Sequence, residues 1–219
     1  MRAALAAMLL GVAPSVASAQ TAAYWFATAP LSLDTQLSLG FAFTPVVDIT
    51  VNSLGYYDDL GDGFLTAHEV GIFLGDGMLG PGPLLASTTL AAGTSGVLGA
   101  DDFRYNPIAP ITLFGGTTYT IAGLSPNTWY TNDLFVAGGP STYTGFGVDP
   151  RITIGPNAAR FTYYPGGTLT DPASHFSDYQ FYAVDFGIAS DVAPEPATIT
   201  LFAIGLVGLL AAGRRRRRA

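Results

Sequence analysis

Between Gln20 and Ala193, hydrophobic residues recur at every second position rather than with the helical period of 3.6. In residues 47–52, three aliphatic side chains alternate with Asp, Thr and Asn, and similar alternation recurs at 70–74 and 118–122. Strict alternation of this kind predicts strands with one buried face. We expect strands at 37–43, 47–57, 70–74, 84–90, 103–105, 108–114, 119–121, 151–154, 160–164 and 179–188.

Turn-forming clusters of Gly, Pro, Asn and Asp separate these segments, for example at 58–63, 75–83 and 93–102. Many short strands with Gly/Pro punctuation are typical of a sandwich of two antiparallel sheets. The 174 residues from 20 to 193 suit one domain with a sizeable core. The sequence therefore predicts an all-β protein: a single, jelly-roll-like β-sandwich domain at 20–193.

The first nineteen residues have a different pattern, with Arg2 followed by the apolar stretch 3–13 and the small residues Ala17-Ser18-Ala19. A basic residue, a short apolar segment and a small-x-small site are the parts of a cleavable secretory signal peptide. We expect signal peptidase to cut between Ala19 and Gln20, after the general secretion machinery has engaged the chain.

The segment 194–219 begins Pro194-Glu195-Pro196, continues with seventeen apolar or small residues at 197–213, and then has five arginines, Arg214, Arg215, Arg216, Arg217 and Arg218. A helix over 197–213 would rise about 25 Å, enough for a transmembrane helix in a thin bilayer. The positive-inside rule places the arginines in the cytoplasm and the domain at 20–193 outside. The two prolines hold Glu195 in an extended frame that a processing enzyme can grip.

This tail resembles the PEP-CTERM sorting signal of Gram-negative bacteria in its Pro-Glu-Pro, its apolar helix and its arginine run. The resemblance implies recognition by an exosortase, a membrane-embedded enzyme resembling Cys transpeptidases, in a host that usually makes an exopolysaccharide. An ordinary single-span anchor with a proline-rich stem is the alternative. Residues 39–123 also look like an uncharacterised β-sandwich domain of exported PEP-CTERM proteins, which supports the fold more than any function.

The charge of the domain and the absence of cysteine exclude several kinds of partner and of functional site. From 20 to 193 there are three arginines, no lysine and fifteen acidic residues, a net charge of −12. Such a surface repels nucleic-acid phosphates and anionic lipids and attracts soluble cations, so we expect no nucleic-acid partner. The chain has no cysteine, which excludes a catalytic thiol, a disulfide and a thiolate metal site.

The acidic loop at 58–69 is the best candidate for a metal site. Counting from Asp58, the carboxylates of Asp58, Asp59, Asp62 and Glu69 fall at positions 1, 2, 5 and 12, with Gly63 at position 6, close to an EF-hand calcium loop. Leu60 at position 3 and the predicted flanking strands depart from that motif. We expect no other cofactor, and a solvated Asp/Gly turn that caps local amides is the alternative to calcium.

Catalytic motifs are not evident. The two histidines, His68 and His175, are far apart in sequence, and no Gly-x-Ser-x-Gly is present. We expect His68 to be a structural hydrogen-bonding residue and the protein not to be an enzyme. The acidic residues would permit a glycosidase pair, but sequence does not give the spacing between carboxylates.

Aromatic residues are numerous, and several fall in or near predicted loops: Tyr56, Tyr57, Trp129, Tyr130, Tyr143, Tyr163 and Tyr164. They could stack on sugar rings or simply fill a core that lacks disulfides. The sequence therefore predicts a non-enzymatic protein of the cell surface or biofilm matrix, associated with exopolysaccharide. It would pass through the inner membrane with its domain in the periplasm. The alternative is a carbohydrate-binding module of that matrix, with calcium as an aid.

Overall fold

The computed structural model describes residues 20–27, 31–33, 37–125, 134–138, 144–155, 157–163, 167–175 and 180–190. Residues 20–189 form one compact unit. Its strands are β1 Gln20–Ala22, β2 Tyr24–Trp25, β3 Leu31–Leu33, β4 Leu37–Pro45, β5 Ile49–Tyr57, β6 His68–Leu74, β7 Leu84–Leu90, β8 Val97–Leu98, β9 Phe103–Leu113, β10 Tyr119–Ser125, β11 Leu134–Gly138, β12 Gly147–Val148, β13 Ile152–Thr153, β14 Ala159–Tyr163, β15 Gln180–Phe181 and β16 Val184–Ala189.

Two antiparallel sheets make up most of the fold. The first has the order β1-β16-β5-β9-β8, and the second has the order β13-β4-β10-β6-β7, with β14 also paired to β4. The chain alternates between the sheets from β4 to β5 to β6 and again from β9 to β10, as it does in jelly rolls. The predicted all-β sandwich is confirmed. Two small sheets, β15-β11-β3 and β12-β2, complete the described part.

The inner faces of the two sheets share one apolar core. Phe43 of β4 and Phe186 of β16 bring their ring centroids within 4.6 Å across the interface. Gly123 of β10 allows the two sheets to approach closely at a second point, because a Cβ there would lie 2.4 Å from Val184 Cγ1 of the other sheet. The core is built from alternating positions on both sheets, as a period of two requires.

Several element boundaries differ from the predictions. Val47 is half exposed in the turn before β5, which begins at Ile49. The two segments expected at 103–105 and 108–114 form a single strand, β9, which runs through Pro107 and Pro110. Its pairing with β5 shifts register between Val51 and Ser53, and a bulge of this kind accommodates a proline that cannot donate. Among the described residues, no helix is long and apolar enough to cross a membrane.

Candidate functional site

The acidic loop is fastened to the first sheet by a buried ion pair. Asp58 follows β5, and its Oδ2 accepts from Arg104 Nε at 2.8 Å and lies 2.6 Å from Arg104 Nη2. The two side chains are only 1% and 5% exposed. Asp58 Oδ1 also accepts from the Gly63 amide, while Arg104 donates to the carbonyls of Thr94 and Gly61. One guanidinium therefore ties the loop to β9 and to the segment after β7.

Burial and nearby acids raise the pKa of Tyr57, the last residue of β5. Residues Asp59–Gly61 form a short 3-10 turn, in which Leu60 has a positive φ of 65° and an exposed side chain. Burial, followed by the charges of Asp59, Asp102 and Asp58, raises the pKa of Tyr57 to about 12. Three neighbouring carboxylates therefore add to the effect of burial on this phenol.

The structure does not gather the four predicted calcium ligands. Asp58 is paired with Arg104, Asp62 is exposed, and Glu69 lies on β6 opposite Thr89 of β7. No group of three or more His, Asp or Glu side chains within the described ranges is arranged to hold a metal ion. Calcium binding stays a prediction, and calorimetric titration of the protein and of Asp62→Ala would test it.

His68 has the structural role expected of it. It is fully buried, its Nδ1 lies 3.2 Å from the carbonyl oxygen of Leu124, and its ring stacks on Tyr56 with centroids 4.0 Å apart. Phe64 packs edge-on against the His68 ring. The imidazole of His68 is therefore part of the aromatic core. The other histidine, His175, is exposed.

A carboxyl–phenol–carboxyl network, which the sequence did not predict, links the core to the surface. Tyr105 Oη lies 2.6 Å from Asp101 Oδ2 and 2.6 Å from Asp185 Oδ2. A phenol has one proton, so both short contacts are hydrogen bonds only if one carboxyl also carries a proton. Asp185 on β16 is fully buried, and burial raises its pKa well above its usual range. Burial therefore favours the protonated carboxyl of Asp185. In that form Asp185 donates to Tyr105, which leaves the phenol proton for Asp101.

Replacing Asp185 with Asn should stabilise the protein increasingly as the pH rises. The pKa of Asp185 is higher in the folded chain than its value near 4 in the unfolded chain, so between these two values the folded chain binds more protons. Asp185 therefore adds stability at low pH that is lost as the pH rises through its native pKa. Asn stays neutral and can still donate to Tyr105. We expect the free energy of unfolding of Asp185→Asn, relative to the parent, to rise by up to about 1.4 kcal/mol per pH unit above pH 4, until Asp185 has ionised.

Urea denaturation at pH 5, 6, 7 and 8 measures this difference. Asp62→Asn is the matched control, because it makes the same chemical change at an exposed position of the same domain. The control should show no such trend. A constant difference between Asp185→Asn and the parent across this range would show that Asp185 does not hold the proton.

A cleft of about 510 Å³ opens beside the network. Six of the residues that line it are Gln20, Trp25, Phe26, Val97, Asp101 and Tyr105. The indole of Trp25 packs on β12 at Gly147, where a Cβ would lie 2.4 Å from the ring, yet Trp25 remains 45% exposed. The cleft thus combines an exposed indole with a carboxylate whose position is set by Tyr105.

Sequence reasoning missed this site because its parts are far apart in the chain. Trp25 lies in a two-residue strand, and Asp101 lies in a segment predicted only as a turn. Of the predicted loop aromatics, Tyr56 and Tyr57 are buried. Trp129, Tyr130, Tyr143 and Tyr164 lie outside the described residues, as does the side chain of Tyr163. The sequence offered one indication of the network: Asp185 is an acidic residue within a segment predicted to be a strand.

Comparison with known families matches residues 192–218 to the PEP-CTERM protein-sorting motif. The chain carries a PEP-CTERM sorting signal. The PEP-CTERM motif marks the protein for recognition by an exosortase and for membrane-anchored transit toward the cell surface, as the resemblance implied. No curated protein and no solved structure matches the chain.

The residues of the PEP-CTERM motif and of the predicted signal peptide, including Pro194, Glu195, Pro196, Arg214–Arg218 and Ala19, lie outside the described residues. Gln20, by contrast, is among the described residues. Gln20 is the first residue of β1, where it pairs with Ala189 of β16. Strand β1, with which the domain starts, therefore lies beside β16, and the sorting segment follows β16 in the sequence.

Proposed function

We propose that this protein is a non-enzymatic component of the cell surface or biofilm matrix, delivered by exosortase processing and associated with exopolysaccharide. The PEP-CTERM motif at residues 192–218 is the observation that carries the proposal. The fold suits such a role, because a cysteine-free sandwich with a large aromatic core needs no disulfide to be stable outside the cell. Its charge of −12 keeps the domain soluble and repels other anions.

In this proposal, signal peptidase removes residues 1–19 and the helix at 197–213 holds the chain in the inner membrane. The domain then lies in the periplasm until the exosortase cuts near Pro194-Glu195-Pro196. Extraction of the matrix from parent cells and from cells that cannot make exopolysaccharide tests the association. Retention of the protein in the first matrix and its release into the medium of the second would support it, and equal release from both would refute it.

The second candidate is a carbohydrate-binding protein of the same matrix. The cleft at Trp25 favours it, because concave sites with an exposed aromatic ring and a few fixed polar groups are the usual form of small-ligand sites. A pull-down of the processed protein with polysaccharides separates the two candidates, since a purely structural protein shows no saccharide-specific binding.

A further inference from the structure

We infer that the cleft between Trp25 and Asp101 is a binding site for a neutral saccharide chain. The inference rests on the second candidate function and adds the site and the class of ligand. It combines three features of the described residues: the exposed indole, the fixed carboxylate and the absence of a basic side chain from the lining.

The indole is held as a platform. Trp25 pairs with Gly147 in the β2–β12 ladder, and its ring lies against the backbone there, because Gly147 has no side chain to displace it. The exposed part of the indole offers an apolar face and an N–H donor to the cleft. The C–H face of a sugar ring packs well on such an amphipathic aromatic surface.

The polar side of the cleft is set before a ligand arrives. Asp101 Oδ2 accepts from Tyr105, and Asp101 Oδ1 accepts from the Phe103 amide at 3.3 Å. An ionised carboxylate has several acceptor sites, so lone pairs remain for the hydroxyl groups of a sugar. The Tyr105 phenol is itself held by the buried Asp185. A preorganised acceptor loses little entropy on binding, which favours affinity.

The charge of the cleft selects against acidic sugars. Among the described residues that line it, none is Lys or Arg, and Asp101 supplies a carboxylate. Cleavage after Ala19 would free the α-amino group of Gln20 at this cleft, one positive charge in a domain of net charge −12. The net negative charge of the domain outweighs this one amino group, so uronate or sulfate groups would meet repulsion, whereas neutral hexose units would not.

Affinity electrophoresis of the processed, cell-derived protein tests the site, with dextran and hydroxyethylcellulose as neutral probes and alginate as an anionic probe. We expect retardation by at least one neutral polysaccharide and none by alginate. Trp25→Ala should weaken the binding about tenfold or more, which corresponds to a stacking contribution near 1.4 kcal/mol. Phe114→Ala should bind as the parent does, because Phe114 is also an exposed aromatic residue, 60% accessible, but lies outside the cleft.

Two further measurements keep the test independent of any folding defect in Trp25→Ala. Val97→Arg places a long side chain at a lining position that is 70% exposed, so the fold should tolerate it, and neutral saccharide binding should be lost. In a Trp129→Phe background, Trp25 is the remaining tryptophan of the chain, and its fluorescence should change when the neutral polysaccharide is added.

Each contrary result overturns a different statement. Neutral saccharide binding that survives both Trp25→Ala and Val97→Arg would refute this site but leave a carbohydrate-binding function. Binding of alginate in preference to the neutral probes would refute the class of ligand. Binding of none of the probes by a correctly processed protein would refute the site and the carbohydrate-binding function together, and would leave exosortase-dependent export in place.

Discussion

Arg104→Leu should remove about 3–5 kcal/mol from the free energy of unfolding, because it leaves the carboxylate of Asp58 buried without its cation. The typical stability of a whole domain is about 5–15 kcal/mol, so a loss of this size is a large share of it. The variant also loses the hydrogen bonds to the carbonyls of Thr94 and Gly61, which weakens the attachment of the acidic loop to the first sheet. Urea denaturation of the parent and of the variant measures the change.

Two controls identify the buried charge as the cause. Arg151 pairs with Asp149 at 2.9 Å, but the Arg151 side chain is 22% exposed, so Arg151→Leu should cost far less than Arg104→Leu. Adding Asp58→Asn to Arg104→Leu should restore part of the loss, since the neutral amide can still accept from Gly63. A loss below about 1 kcal/mol in Arg104→Leu would mean that the pair behaves like an exposed one.

Replacing Pro194, Glu195 and Pro196 together with alanine should abolish processing, and the full-length helix should keep the protein in the inner membrane. The variant lacks both the glutamate and the two prolines that are predicted to present it in an extended frame, and the alanines allow the predicted membrane helix to continue upstream of residue 197. Cell fractionation followed by immunoblotting measures the result as near-complete loss of protein from the surface and the medium.

Thr198→Ala is the control for this experiment, because it lies in the predicted membrane helix just after Pro-Glu-Pro and keeps that helix apolar. It should be processed as the parent is. If the triple-alanine variant reaches the surface with a shortened C-terminus as efficiently as the parent, the Pro-Glu-Pro sequence is not what the exosortase recognises.

The fold was predictable where hydrophobic residues alternated or where turn-forming clusters lay close to both ends of a strand. Strand β7 was predicted with its bounds, because the clusters at 75–83 and 93–102 lie on either side of it. The start of β5 was placed two residues early, since the alternating Val47 continues the pattern although it lies in the turn. Short strands such as β2 and β12 escaped prediction, because two residues carry no period and form only when tertiary pairing supplies their partners.

The site was less predictable than the fold, for a physical reason. The EF-hand-like spacing of Asp58, Asp59, Asp62 and Glu69 is a local property of the chain, but the partner of Asp58 is Arg104, forty-six residues away. The bonds from Tyr105 to Asp101 and Asp185 span sequence separations of 4 and 80 residues. Such contacts depend on which strands become neighbours, and one sequence read alone does not give the strand order.

The central claim is that the sandwich domain leaves the cell and loses its basic tail on the way. Mass spectrometry of both termini of the protein recovered from intact, exosortase-bearing cells tests it most directly. We expect surface or extracellular protein that begins at Gln20 and lacks Arg214–Arg218. Recovery of the protein in the cytosolic fraction, with the arginine run still attached, would contradict it.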